Sequence, residues 1–116
     1  DACAGMAIAY HWTKEPEKAR EMADRALKSN ARAPRGHYAM ALILYSEGKY
    51  APALEAVNKG IELSPKSSHM FFLRGDISMG TRNREAALMD YEKACGMDLP
   101  EACRKAERVK WGRSRR

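Results

Sequence analysis

Residues 38–65 read YAMALILYSEGKYAPALEAVNKGIELSP, and the pattern in that stretch decides the fold. Tyr38, Leu42 and Tyr45 recur along one side at helical spacing while Ala41 and Leu44 fall on another, which predicts a helix. The pattern breaks at Ser46-Glu47-Gly48-Lys49, where Gly48 is placed to close that helix. It restarts at Tyr50 with Ala53, Leu54, Val57 and Ile61, and Leu63-Ser64-Pro65 stops it. The stretch is therefore expected to form two antiparallel helices.

Working outward, the same spacing recurs every 34 residues. Ala19, Ala53 and Ala87 form one column, and Ala26, Gly60 and Ala94 a second. Ala23, Val57 and Tyr91 form a third, and Ala7, Ala41 and Gly75 a fourth. Small residues belong where two helices cross closely, because a larger side chain would hold the backbones apart. One hairpin cannot bury its own apolar face, so three copies, over about 1–33, 34–67 and 68–101, are expected to stack into a solenoid.

Composition agrees with a helical globular chain. Of 116 residues, 45% are hydrophobic and 31% charged, which excludes the low-hydrophobicity profile of a disordered polymer. No apolar run, the stretch around Met40 to Tyr45 included, is nearly long enough to span a bilayer, so a soluble chain is expected. One domain over 1–116 is expected at this length. The chain opens on Asp1-Ala2-Cys3 without an initiator Met, which suggests processing or excision from a longer protein. The formal charge of +6 is local: residues 1–103 balance, and the excess lies in Arg104, Lys105, Arg108, Lys110, Arg113, Arg115 and Arg116, set against the single acid Glu107. A neutral body weakens a reading as a dedicated nucleic-acid binder.

These residues resemble the tetratricopeptide repeat family. Copy two carries the signature in Ala41, Gly48-Lys49-Tyr50, Ala53, Gly60 and Pro65. Copy three keeps Phe71, Gly75, Ala87, Tyr91 and Ala94 but has Arg82 for the turn glycine and Pro100 for the closing proline. Copy one keeps Ala7, Tyr10, Ala19, Ala23 and Ala26, with Pro16 in the turn and Ala31 where proline is usual. The resemblance implies an all-α, right-handed superhelical solenoid of helical hairpins with a concave groove. By that resemblance the groove positions are Ala4, Ile8, His11 and Trp12, then Arg35, Tyr38, Leu42 and Tyr45, then His69, Phe72, Asp76 and Met79. An aromatic and apolar set of this kind suits an apolar or amphipathic peptide, which Arg35, His69 and Asp76 would orient. Leu42 and Phe72 have an alternative place in the core. The lysine, asparagine and arginine clamp of the chaperone-binding branch is absent, its positions holding Ala4, Ile8, Ala39, His69 and Leu73.

Residues 98–111 read as a further helix capping the stack, with Asp98 and Glu101 as a capping box and Ala102, Cys103, Ala106 and Val109 as an apolar stripe. Its basic residues are expected either to provide the polar outer face a terminal unit needs or to contact nucleic acid, anionic lipid or an acidic partner. The segment from Lys93 to Cys103 is similar to cysteine-rich relatives of these repeats, in which such a pair bridges consecutive helices in extracytoplasmic bacterial proteins. That resemblance implies a Cys95–Cys103 disulfide and an oxidising compartment; the alternative is a reduced, buried pair in a cytoplasmic protein.

Nothing in the sequence points to catalysis or to a cofactor. His11, His37, His69 and the three cysteines form no tight metal-ligand motif, and phosphate loops and nucleophile elbows are missing. The reading is a non-enzymatic interaction module or scaffold for a protein or peptide partner. Electrostatic binding through the basic tail, or self-association as a segment of a longer array, are its alternatives.

Overall fold

The computed structural model describes residues 2–112. They fold into α1 (Ala2–Trp12), α2 (Pro16–Ser29), α3 (Pro34–Ser46), α4 (Tyr50–Leu63), α5 (Ser68–Gly80), α6 (Arg84–Gly96) and α7 (Pro100–Gly112), with no strand among them. Proline opens α2 and α3, where the missing N–H is one the first turn leaves unbonded anyway.

One turn closes α1, α3, α5 and α6. In each, a residue in the left-handed region donates its N–H three residues back, and the next residue reaches five back. Lys14, Gly48, Arg82 and Asp98 hold the left-handed position, with φ of 62°, 77°, 65° and 67°. Lys14 bonds His11 at 3.1 Å, Gly48 bonds Tyr45 at 3.0 Å, Arg82 bonds Met79 at 3.0 Å and Asp98 bonds Cys95 at 3.1 Å. The longer bonds run from Glu15 to Tyr10, Lys49 to Leu44, Asn83 to Ser78 and Leu99 to Ala94. This is the Schellman arrangement, which satisfies carbonyls that a helix end leaves open. It corrects the capping box expected at Asp98. Asp98 finishes α6, and the Leu99 carbonyl accepts the first bonds of α7, from Ala102 at 3.0 Å and Cys103 at 3.4 Å. Aspartate tolerates the left-handed region better than most residues, so it suits the closing position.

The chain divides into two compact units, residues 1–65 and 66–116. In the first, α1 packs on α2 and α3, α2 on α3, and α3 on α4. Its core gathers Ala7, Ala19, Ala23, Ala39 and Ile43, with Ile8, Tyr10, Met22 and Met40 against them. In the second, α6 packs on both α5 and α7, and Ala87, Tyr91 and Ala106 form a core with Phe72, Leu88 and Val109 around it.

The small columns of the sequence are fully buried: Ala7, Ala19, Ala23, Ala26, Ala41, Ala53, Ala87 and Ala94 are all 0% exposed. Two columns vary together. Ala7 accompanies Ala23, Ala41 accompanies Val57, and Gly75 accompanies the much larger Tyr91. In the third repeat the reason is direct, since a Cβ at position 75 would stand 2.6 Å from Cε1 and 2.8 Å from Cδ1 of Tyr91. Glycine is there to admit the ring.

Candidate functional site

Trp12 and Tyr45 lie at the C-terminal ends of α1 and α3. Trp12, the last residue of α1, is 69% exposed, and the half-buried His11 meets its ring edge-on at 5.1 Å between centroids. Beside them a cleft of about 530 Å³ is lined by His11, Trp12, Lys14, Pro16, Ile43, Ser46 and Glu47. The C-termini of α1 and α3 and the first α1–α2 turn build it. Burial lowers the His11 pKa below its ordinary value, which keeps the ring neutral at pH 7. Glu47 is held by two cations, Arg20 at 2.7 Å and Lys49 at 3.3 Å.

The other groove residues of this unit differ in exposure. Tyr38 and Tyr45 are half-buried, with Tyr45 tilted against Tyr50 at 5.9 Å. Arg35 is exposed, and its guanidinium lies beside Gly5. Ile8 packs half-buried against the core. Leu42 is only 7% exposed and so offers a ligand little area. The side chain of Ala4 lies outside the described residues.

In the second unit, groove positions and basic helix meet each other. Lys105 Nζ donates to Asp76 Oδ1 at 2.7 Å and stands 4.7 Å from the centre of the Phe72 ring. The Tyr91 hydroxyl donates to the same carboxylate oxygen, and the Phe72 and Tyr91 rings tilt together at 5.7 Å. Asp76 and Phe72 are thus engaged by their own unit, while His69 is exposed and Met79 is 37% exposed. Sequence reading missed this because the register of α7 against α5 leaves no periodic trace. It also missed the pair behind it, Arg74 donating Nε and Nη2 to the two oxygens of the buried Asp90, each at 2.9 Å.

The basic residues do not form one free face. Lys105 is committed to Asp76, and Lys110 pairs with Glu92 at 3.3 Å. Arg104 and Arg108 are exposed, and Arg113, Arg115 and Arg116 lie outside the described residues. Cys95 and Cys103 are joined by a disulfide, with Cα atoms 4.7 Å apart, tying the end of α6 to the first turn of α7. Among the described residues no group of three or more acidic, histidine or cysteine side chains is gathered as a metal site, and no helix is long and apolar enough to cross a membrane.

The cleft residues Lys14, Pro16, Ile43, Ser46 and Glu47 were absent from the sequence-based site. One signal was available: Lys14, Gly48 and Arg82 share the turn column, and only one copy has the glycine the turn favours.

Tetratricopeptide repeat models match residues 14–68 and 68–100. Among solved structures, the first TPR of Spaghetti (RPAP3), bound to the HSP90 peptide SRMEEVD, superposes with a TM-score of 0.86 at 16% identity, over 97% of this chain and 91% of that one. Pseudomonas aeruginosa pilF superposes at 0.84 with 22% identity, over 98% of this chain and 53% of its own. PcrH, in complex with the chaperone binding region of PopD, gives 0.77 at 13% identity, over 94% and 84%. Identities this low speak to the fold alone. No curated protein matches the chain significantly in sequence. Repeat columns at a 34-residue period, hairpins closed by one recurring turn, and family matches running from residue 14 to residue 100 lead to a single assignment: the chain belongs to the tetratricopeptide repeat family.

Proposed function

We propose that the chain is a non-enzymatic interaction module whose first unit holds a peptide or helix of a partner protein, with Trp12 and Tyr45 as anchors and Ile8, His11, Arg35 and Tyr38 around them. The observation that carries this reading is a tryptophan 69% exposed at the mouth of a cleft of about 530 Å³. Tryptophan, tyrosine and arginine dominate the energetics of protein interfaces because large, stiff side chains exclude water at little entropic cost. Two structures of the same fold hold such ligands, the HSP90 peptide on Spaghetti and the PopD region on PcrH, which supports the class of function. The partner differs from a chaperone tail gripped by its terminal carboxylate, since Ala4, Ile8, Ala39, His69 and Leu73 stand at the clamp positions. Leu42, Phe72 and Asp76 act chiefly in packing within their own units. The disulfide suits an oxidising compartment.

The test is to select peptides from a phage-displayed random library on the whole chain and titrate the best by fluorescence polarisation. Against a Trp12→Ala, Tyr45→Ala variant, loss of at least one anchor's worth, about 2 kcal/mol or more and so roughly thirtyfold or more in Kd, is expected, with wild-type binding retained at raised salt. Equal affinity for both proteins would refute the site. Binding that disappears with salt alone would move the function to the basic helix.

A further inference from the structure

Lys14 occupies a position that its backbone conformation assigns to glycine. At φ 62° a side chain crowds the following carbonyl, and the second repeat avoids that cost with Gly48 at φ 77°. The same lysine lines the cleft beside Trp12. Three charged or titratable residues line it, and two are silent: Glu47 is matched by Arg20 and Lys49, and His11 is neutral by burial. Among the described residues no carboxylate lies within ion-pair distance of Lys14; the neighbouring Glu15 is engaged by Lys18 at 3.3 Å and by the Thr13 hydroxyl at 3.1 Å. Lys14 is therefore the one cation among the described residues lining the cleft, and no described carboxylate neutralises it. Arg82 and Asp98 share the left-handed backbone, so what sets Lys14 apart is its place in the cleft.

We infer that Lys14 is the specificity-determining residue of the peptide site, selecting ligands that carry a side-chain carboxylate next to the large apolar residue entering the cleft against Trp12. The inference rests on the peptide-binding reading above but adds to it. Trp12 supplies area without regard to sequence, and Lys14 supplies the choice of charge. The carboxylate in question is a side chain within the peptide, because nothing in the cleft forms the several-donor clamp a chain terminus requires.

Four whole-chain proteins, wild type, Lys14→Gly, Lys14→Glu and Arg82→Gly, are each used to select from the same phage-displayed random dodecapeptide library at low salt. Aspartate and glutamate are expected to be enriched about three- to fivefold beside the apolar residue in wild-type selections, the preference a single exposed ion pair supports. Lys14→Gly should lose that enrichment while its Tm rises by about 4 °C, as the turn relaxes. Lys14→Glu should turn the preference toward lysine and arginine. Arg82→Gly, at the equivalent turn of the third repeat, should gain the same thermal stability and keep the wild-type preference. Apolar peptides selected by wild type without acidic neighbours, or acidic enrichment surviving in Lys14→Gly, would overturn the role of Lys14 and leave the peptide site standing. Selection of no peptide at all would overturn both.

Discussion

Replacing Gly75 with alanine sets two opposed effects against each other, and the geometry decides the winner. Alanine in mid-helix gains about 1 kcal/mol over glycine, because the unfolded chain has less freedom to lose. Against that, the new Cβ would meet Tyr91 at 2.6 and 2.8 Å, well inside contact distance. The ring cannot swing away easily: Tyr91 is 2% exposed, its hydroxyl is bonded to Asp76, and Phe72 lies against its face. Overpacking of this kind costs about 1–3 kcal/mol. With two contacts under 3 Å against a pinned ring the upper part of that range, about 2–3 kcal/mol, applies, so the net expectation is destabilisation by about 1–2 kcal/mol, or a Tm lower by roughly 5–10 °C followed by far-ultraviolet circular dichroism. The decisive measurement is the sign in a second background. With Tyr91→Val, which recreates the residue type at Val57, Gly75→Ala should become stabilising by about 0.5–1 kcal/mol. Gly96→Ala, where no atom lies within 4 Å of the added Cβ, is the control and should not destabilise. An unchanged sign in the two backgrounds would refute the idea that the paired columns compensate in volume.

Other perturbations address the polar packing and the cleft. Arg74→Met strands the buried Asp90 carboxylate and should cost about 3 kcal/mol in urea unfolding, whereas an Arg74→Met, Asp90→Leu double variant should recover most of it. Reducing the Cys95–Cys103 bridge should cost roughly 2–3 kcal/mol by the loop-closure estimate, seen as faster amide exchange confined to α6 and α7; unchanged exchange there would refute it. Because burial lowers the His11 pKa below 6.5, the unfolded chain takes up its proton first as pH falls. Stability from this group is thus complete above about pH 6.5 and declines as pH drops through the folded value, and His11→Gln should flatten that part of the curve.

The parts legible in the sequence are those written in periodic, short-range chemistry. The 34-residue columns of small residues located the crossings within the three hairpins, and Gly48 marked a turn by its own conformational freedom. Lys14, Arg82 and Asp98 adopt the same turn without that signal, imposed by the helices on either side, so a propensity reading moved the start of α7 to Asp98. The aromatic site was half legible. Trp12 stands out at the end of an uncharged helix, but the fate of Phe72 and Asp76 depends on where Lys105 arrives from 29 residues further along. Spacing within one helix carries no information about that encounter. The cleft escaped for the same reason, since its walls come from three helices and a turn.

The most direct measurement is amide chemical-shift mapping of the isotope-labelled whole chain titrated with a library-selected peptide. We expect the perturbed amides to gather on residues 8–17 and 43–47, with the Trp12 indole N–H among the largest shifts. Perturbations concentrated on residues 101–111, with residues 8–17 and 43–47 unmoved, would contradict the account.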